Sequence, residues 1–310
     1  MTERRRLRFA GGSRGAPSRQ AWVDLVRGVE DAGYSTLVAP DHLITEFGPI
    51  AALTTAAAVT STLRLSTYVL ANDFRHPPVL AKELATLDVL SEGRLDVGIG
   101  AGWLEAEFAM AGLPFDSPGV RIARLTEAVQ VLKRLFTGEP VTFEGQYYKV
   151  NGLVGQPKSV QQPHPPLHMG GGGRKMLELA AREADIVGLI PRLGPAGPMS
   201  LEDYSPAATK QRLEWIRAAA GERWDQIELS FFISQTVVTN DQAQVAEQMA
   251  QGMGATVEQV LETPYILIGN VEQLTEKILA CREEYGVSYF VIVDEAVQPF
   301  APVVARLAGT

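Results

Sequence analysis

Two stretches of the chain carry residue types and spacings that could do chemistry. The first is "APDHL", Ala39 to Leu43, where Asp41 and His42 stand directly after a β-rich run. Histidine changes charge near neutral pH, so His42 is a candidate acid or base, and a neighbouring carboxylate can tune it. A helix cap or a structural hydrogen-bonded pair is the alternative. The second is "MGGGGRKM", Met169 to Met176. Four bare glycines allow close approach to the backbone, and the unpaired amides of a helix that starts near Arg174 suit an anion. Arg174 and Lys175 add positive charge where the helix dipole disfavours it, which makes sense if a phosphate sits there. A flexible helix-opening turn with solvated basic residues remains open beside that reading.

Several other chemistries fail on spacing. "GGGGRK" lacks the glycine before the lysine that a P-loop needs, and Met176 stands where a Ser or Thr would hold magnesium. "VGIGAGW", Val97 to Trp103, resembles a dinucleotide fingerprint, but its third glycine position is Trp103 and no acidic residue about 20 residues on follows a second strand. Its glycines still let a ligand approach a strand end, with a plain turn as the alternative. "NDFRHPP", Asn72 to Pro78, brings Phe74, Arg75 and His76 to a polar loop. His164 and His168 flank Pro165 and Pro166, so they share no helix face, and with no cysteine cluster no metal is expected. No G-x-S-x-G occurs, so a hydrolase elbow is unsupported.

What must position these residues is an alternation of strands and helices. Strands are read at Arg6–Ala10, Ser35–Pro40, Leu63–Ala71, Arg94–Gly102, "LHMGG", Ala184–Ile190, "IELSFFISQTVV" and Val287–Val293. Helical patterns separate them, the first over Ser18–Gly33 with Ser18 as its cap and Trp22, Leu25, Val26 and Val29 as its apolar stripe. Eight alternating units imply parallel strands and an α/β fold, a (β/α)8 TIM barrel, with an open doubly wound sheet as runner-up. A hairpin about Glu144–Gly145 and the proline-rich "GQPKSVQQPHPP" form an insertion between the fourth and fifth strands. No linker interrupts the chain, so residues 1–310 are expected to form one domain.

Composition bounds the rest. At 46% hydrophobic and 21% charged, the chain is an ordinary globular one. Its net charge of −8 provides no basic field for nucleic acid or an anionic membrane. The single cysteine, Cys281, excludes an intrachain disulfide and fits a reducing compartment. "MTERRRLRFAGG" has no apolar segment after its charges, so no signal peptide is expected, and "IAALTTAAAV" is too short to span a bilayer. A cytoplasmic protein is expected.

Five landmarks in order carry a resemblance: "AGYSTLVAPDHL", "RHPPVLAKELATLDVLSEGRLDVGIGAGWLEAEF", "GEPVTFEGQYYKV", "PPLHMGGGGRKMLELAAREADIVGL" and "YILIGNVEQLTEKI". Over nearly its whole length the chain resembles the luciferase-like monooxygenase superfamily, especially its coenzyme F-420 (deazaflavin) dependent oxidoreductases. The resemblance implies a TIM barrel with a deazaflavin or flavin ring at the C-terminal mouth and its phosphate at the glycine turn. His42 then matches the acid/base position, with Asp41 fixing its ring. Val69, Leu70, Ala71 and Asn72 match the segment that backs the ring, where the family often has a non-proline cis peptide. Ala101 and Gly102 match the ring edge, and Gly170, Gly171, Gly172, Gly173 and Arg174 the phosphate turn. Relatives that oxidise sugar phosphates carry a glutamate where this chain has Trp103, which argues against that substrate. Trp103, Phe74 and Phe47 suggest an apolar or aromatic substrate wall instead.

The resemblance thus implies hydride transfer between the deazaflavin and a small organic molecule, preferably reduction of an activated C=C, C=N or C=O bond. An FMN-dependent monooxygenase on the same barrel is the first alternative, and a non-catalytic flavin-binding protein the second. The expected partners are a small-molecule substrate and, as is common in the superfamily, a second copy of the chain.

Overall fold

The computed structural model describes residues 5–194, 197–198 and 200–310. Met1 to Arg4 and parts of the loop "PRLGPAGPMS" lie outside the described residues. Eight parallel strands alternate with helices: β1 Arg8–Gly12, β2 Thr36–Ala39, β3 Arg64–Thr67, β4 Leu95–Gly100, β5 Leu167–Gly171, β6 Ile186–Leu189, β7 Glu228–Phe232 and β8 Tyr289–Val293. They form the closed α/β barrel of the (β/α)8 class. The residues group into two compact units. One comprises Met1–Ser13, Gly28–Thr36 and Gly170–Thr310, and the other Arg14–Arg27 and Leu37–Met169.

In the second unit, β3 pairs with β4 (Leu65↔Leu95) and β4 with β5 (Val97↔Leu167). All six residues of β4, LDVGIG, are buried, as a parallel strand covered on both faces requires. The apolar run Leu63–Ala71 is not one strand. It ends at Thr67, passes a cis peptide at Tyr68–Val69 and resumes as Leu70–Ala71 against Ile99–Gly100. Prolines at the first helical turn start α2 (Pro49–Val59), α3 (Pro77–Leu90) and α5 (Pro118–Phe136), where their missing N–H costs nothing. The insertion is an antiparallel hairpin, Pro140–Glu144 with Lys149–Val154. Glu127 of α5 holds its turn by accepting N–H bonds from Gln146, Tyr147 and Tyr148 at 2.8, 2.9 and 3.0 Å. The proline-rich connector is tied down by buried Asp88, which accepts from Ser159 Oγ, the amides of Val160 and Gln161, and Gln161 Nε2.

In the first unit, β1 pairs with β8, β8 with β7, and β7 with β6. Arg8 lies 3.8 Å from the Tyr289 ring centroid and reaches Glu228 at 2.6 Å. The sequence "IELSFFISQTVV" divides. After β7, Ile233 N–H still bonds Val291 O, but Ser234 N–H turns to Tyr265 O, and Gln235–Val238 then pairs with Ile266–Gly269 in a separate parallel sheet. The helix α10, Val271–Tyr285, starts on an Asn270–Gln273 capping box and ends at Gly286, φ 71°.

On α10, Lys277 donates to Leu261 O at 2.6 Å, and burial pulls its pKa down from 10.5 to about 8. Burial pushes the Cys281 thiol up from 9.0 to about 12. Between pH 8 and 10.5 the unfolded chain keeps the lysine proton that the folded chain has lost, so this group adds stability as pH rises. Between pH 9 and 12 the unfolded chain has lost the thiol proton that the folded chain keeps, so Cys281 removes stability as pH rises. Urea midpoints should show wild type gaining stability relative to Lys277→Met from pH 8 to 9, and losing it relative to Cys281→Ala above pH 9.

Candidate functional site

The loops that follow β2, β3 and β4 carry the chemistry of the second unit. His42 sits after β2 with its backbone carbonyl fixed by Thr45, whose hydroxyl donates to it at 2.8 Å. Its Nδ1 lies 3.0 and 2.9 Å from the two carboxylate oxygens of Glu107. Glu107 is on the short helix α4, Glu105–Met110, and its side chain is 3% exposed against 29% for His42. Trp103 meets the same imidazole edge-on, with ring centroids 5.9 Å apart.

Asp41 does not fix that ring, contrary to the expectation from sequence. Its Oδ2 accepts from Ala71 N–H at 3.0 Å and from Arg75 Nη1 at 2.6 Å, and its Oδ1 accepts from Arg75 Nη2 at 2.9 Å. The two-pronged guanidinium matches both carboxylate oxygens at once, so Asp41 is committed to the segment after β3. Two neighbouring carboxylates are thereby divided: Arg75 takes Asp41 and His42 takes Glu107.

That segment holds Val69, Leu70, Ala71 and Asn72 next to the cis peptide, where the resemblance implies one. Asn72 is 1% exposed; its Nδ2 donates to Asp73 Oδ1 at 3.0 Å and to the Tyr148 hydroxyl at 3.1 Å, while its Oδ1 is buried without a partner. Burial pushes the Tyr148 phenol up from its ordinary value, opposed by the Asn72 bond. Arg124 clamps Asp73, at 2.6 Å, and Asp116. Ala101 and Gly102 form the loop after β4. Gly102 has φ 74°, and a Cβ there would lie 2.8 Å from the Phe108 ring, so no other residue fits easily. Its carbonyl accepts from Arg121 Nη1 at 2.9 Å, and the Arg121 guanidinium stacks 3.8 Å over Phe115. Burial lowers the Arg121 pKa, against the nearby carboxylates of Asp73, Glu105 and Asp116.

The three aromatic residues expected to share a wall do not share a ring cluster. Trp103 contacts His42, Phe74 packs on Phe108 at 5.1 Å, and Phe47 meets Trp22 at 5.6 Å.

The glycine turn belongs to the first unit. β5 ends at Gly171 and α6, Arg174–Glu183, begins behind Gly173, which has no side chain to cap the helix. A Cβ on Gly170 would lie 2.3 Å from Gly188 O, and one on Gly172 would lie 2.4 Å from Arg192 N. Those two glycines are required by close backbone approach. At Gly173 a Cβ would meet nothing within 4 Å, so the space beside that residue is open. Gly172 O accepts from buried Arg212 Nε at 3.2 Å, and Arg212 and Arg192 both pair with Asp203 Oδ1, at 2.8 and 2.7 Å. The Arg174 side chain is 67% exposed and bonds Glu178 at 2.7 Å. It is thus an ordinary (i, i+4) helix-surface pair.

Sequence reasoning gave no role to Glu107, Arg192, Arg212 or Tyr148. Glu107 lies 65 residues from His42 and Arg212 lies 40 from Gly172, so spacing along the chain carries no signal for them. Among the described residues no group of three or more His, Cys, Asp or Glu could hold a metal ion, and no helix is long and apolar enough to cross a membrane.

An Asp-His pair follows one strand of the (β/α)8 barrel and a glycine turn follows another. The family is shown directly: residues 7–264 match the luciferase-like monooxygenase family, and the chain belongs to it. It is 36% identical over 178 residues to an F420-dependent glucose-6-phosphate dehydrogenase of Kineococcus radiotolerans, covering 56% of this chain and 51% of that one. It is 28% identical over 293 residues to a 5,10-methylenetetrahydromethanopterin reductase of Methanopyrus kandleri, covering 89% and 80%. An FMNH2-dependent dimethylsulfone monooxygenase of Pseudomonas putida is 35% identical over 109 residues, covering 35% and 30%. The chain spans about half the length of the curated relatives it matches first. The solved structure of the F420-dependent tetrahydromethanopterin reductase from Methanopyrus kandleri has the same fold, with TM-score 0.79 at 22% identity over 98% of this chain and 99% of that one. The named relatives among these are an F420-dependent dehydrogenase, a methylenetetrahydromethanopterin reductase and an FMNH2-dependent monooxygenase.

Proposed function

We propose that the protein is a coenzyme F-420-dependent oxidoreductase that reduces an activated C=C, C=N or C=O bond of an uncharged small molecule. In this reading residues 1–310 act as one domain, in the cytoplasm and paired with a second copy of the chain. The single observation that carries it is the imidazole of His42, held by a buried carboxylate at Nδ1 and with no protein partner at Nε2 among the described residues. A proton can be exchanged at that nitrogen.

The residues fit a phosphate-bearing cofactor on one test: the amides opening α6 have no side-chain cap, and a Cβ placed on Gly173 would meet no protein atom within 4 Å. Gly170 to Gly173 would hold the phosphate through backbone N–H groups. Arg192, placed by Asp203, is a better candidate cation than Arg174, which Glu178 engages. Val69 to Asn72, with Ala101 and Gly102, would contact the ring, their backbones fixed by Asp41, Arg75 and Arg121. A bound deazaflavin supplies a carbon that carries a hydride. His42 gives the accompanying proton to the substrate from Nε2, and Trp103 covers the imidazole.

The charge inventory favours a neutral substrate. Arg75, Arg121 and Arg124 are engaged by Asp41, by Gly102 O, and by Asp73 and Asp116. Each of these guanidiniums therefore already has a protein partner in the described structure.

The FMN reading is supported by the 35% identity to an FMNH2-dependent relative. Fluorescence titrations with F-420 and with FMN decide between them. F-420 should bind more tightly, and Gly173→Ala should weaken it by at least roughly tenfold, about 1.4 kcal/mol, with the urea midpoint unchanged. Tighter binding of FMN would turn the assignment to the monooxygenase. Unchanged F-420 affinity in Gly173→Ala would remove the phosphate from the turn.

A further inference from the structure

We propose that Glu107 is a positioning residue that keeps the proton of neutral His42 on Nδ1 and so makes Nε2 the nitrogen that meets the substrate. The inference rests on reading His42 as the proton partner, and deepens it by adding the residue that selects its tautomer.

An ionised carboxylate only accepts hydrogen bonds. With both Glu107 oxygens within 3.0 Å of Nδ1, the nitrogen must carry the hydrogen, and the lone pair of the neutral ring falls to Nε2. The carboxylate is 3% exposed, so little water competes for it. Glu105, two residues earlier on the same helix, is exposed. Asp41, adjacent to His42 in the chain, is saturated by Arg75 and Ala71 N–H. Glu107 is therefore the carboxylate that sets the imidazole among the described residues. Trp103 meets the ring at 85°, so rotation that would exchange the two nitrogens has to displace an indole as well as break the bond. When His42 is protonated the same carboxylate faces the cation, and Nε2–H is the proton available for transfer. A pair that merely braced two loops would hold the same tautomer without any consequence for turnover, so the two roles separate in kcat.

The test uses the full chain with 15N-labelled histidine. The protein has four histidines, and His42→Ala identifies the His42 signals. Two-bond 1H–15N correlations are recorded at about pH 9, where imidazoles are neutral. Wild type should show His42 protonated at Nδ1. Glu107→Leu should shift the population toward Nε2–H. Glu107→Gln, close to isosteric, should lower kcat by roughly 10- to 100-fold while KM and cofactor Kd stay within about twofold, a loss inside the range of general acid–base catalysis. Wild type protonated at Nε2, an unchanged tautomer in Glu107→Leu, or an unchanged kcat in Glu107→Gln would each overturn the proposal. The tautomer readout does not depend on turnover. Full activity in His42→Ala would remove His42 from the reaction, and the spectrum would still report whether Glu107 sets its tautomer.

Discussion

Replacing His42 with alanine lowers kcat by about 10²- to 10⁴-fold and leaves cofactor Kd within about twofold. The range is that of a positioned proton donor or acceptor, and the reason for expecting it here is the isolation of the imidazole. Asp41, the nearest carboxylate in sequence, is locked to Arg75, and Glu107 is committed to Nδ1. Neither can take over at Nε2. Removal of the ring also leaves Glu107 buried without its partner, so some loss of stability accompanies the loss of rate. The two are separated by measuring kcat and KM at a temperature where the variant's unfolding curve is still flat. His42→Gln keeps a hydrogen-bonding side chain but no titratable proton. It should recover stability without recovering turnover. A variant that loses less than about fivefold in kcat would mean that solvent supplies the proton, and the reading of His42 would have to be abandoned.

The barrel was legible because it rests on local patterns. Each strand is a short buried run bounded by turn residues, and each helix carries its own signals: Ser18 accepts from Ala21 N–H as its cap, and Gly33 ends the turn at φ 81°. The errors fall where a decision depends on a distant partner. "IELSFFISQTVV" has continuous strand propensity, yet it divides because Ser234 is drawn to Tyr265. On α1, Arg19–Asp31, Trp22, Val26 and Val29 are buried as expected, but Val23 is 5% exposed while Leu25 is only half-buried, so the edge of the apolar stripe is the part that neighbours determine. The site divides in the same way. Asp41, His42 and the glycine turn were visible because type and position after a strand single them out. Their partners were not. Arg75 is 34 residues from Asp41 and Glu107 is 65 from His42, and in "NDFRHPP" and "WLEAEF" nothing local distinguishes a clamp from a solvated charge. Arg174 is at the turn, and an (i, i+4) glutamate draws its side chain to the surface.

Arg75→Met should destabilise the protein by about 3 kcal/mol. Removing one partner of a buried pair costs about 3–5 kcal/mol because the other charge is left uncompensated. Asp41 is 4% exposed on its side chain, but the guanidinium is 24% exposed, which places the loss toward the lower end of that range. Ala71 N–H still satisfies one oxygen of Asp41. Asp41→Asn should cost less, about 1–2 kcal/mol, since it leaves Arg75 able to turn to water and keeps an acceptor for Ala71. The double variant should be less destabilised than the sum of the two single variants by roughly 1–2 kcal/mol, the signature of two groups that depend on each other. Urea unfolding of the four proteins measures this directly, and strict additivity would show that the clamp contributes nothing as a pair. The functional consequence follows from what the clamp holds. Asp41 fixes the amide of Ala71, inside the segment proposed to contact the ring of the cofactor, whereas His42 is held separately by Glu107. Arg75→Met should therefore weaken cofactor binding and leave the His42 tautomer as in wild type. Glu107→Gln should do the reverse, altering kcat with cofactor affinity unchanged. Two carboxylates on neighbouring loops would then have opposite functions, one placing the backbone and one placing the proton.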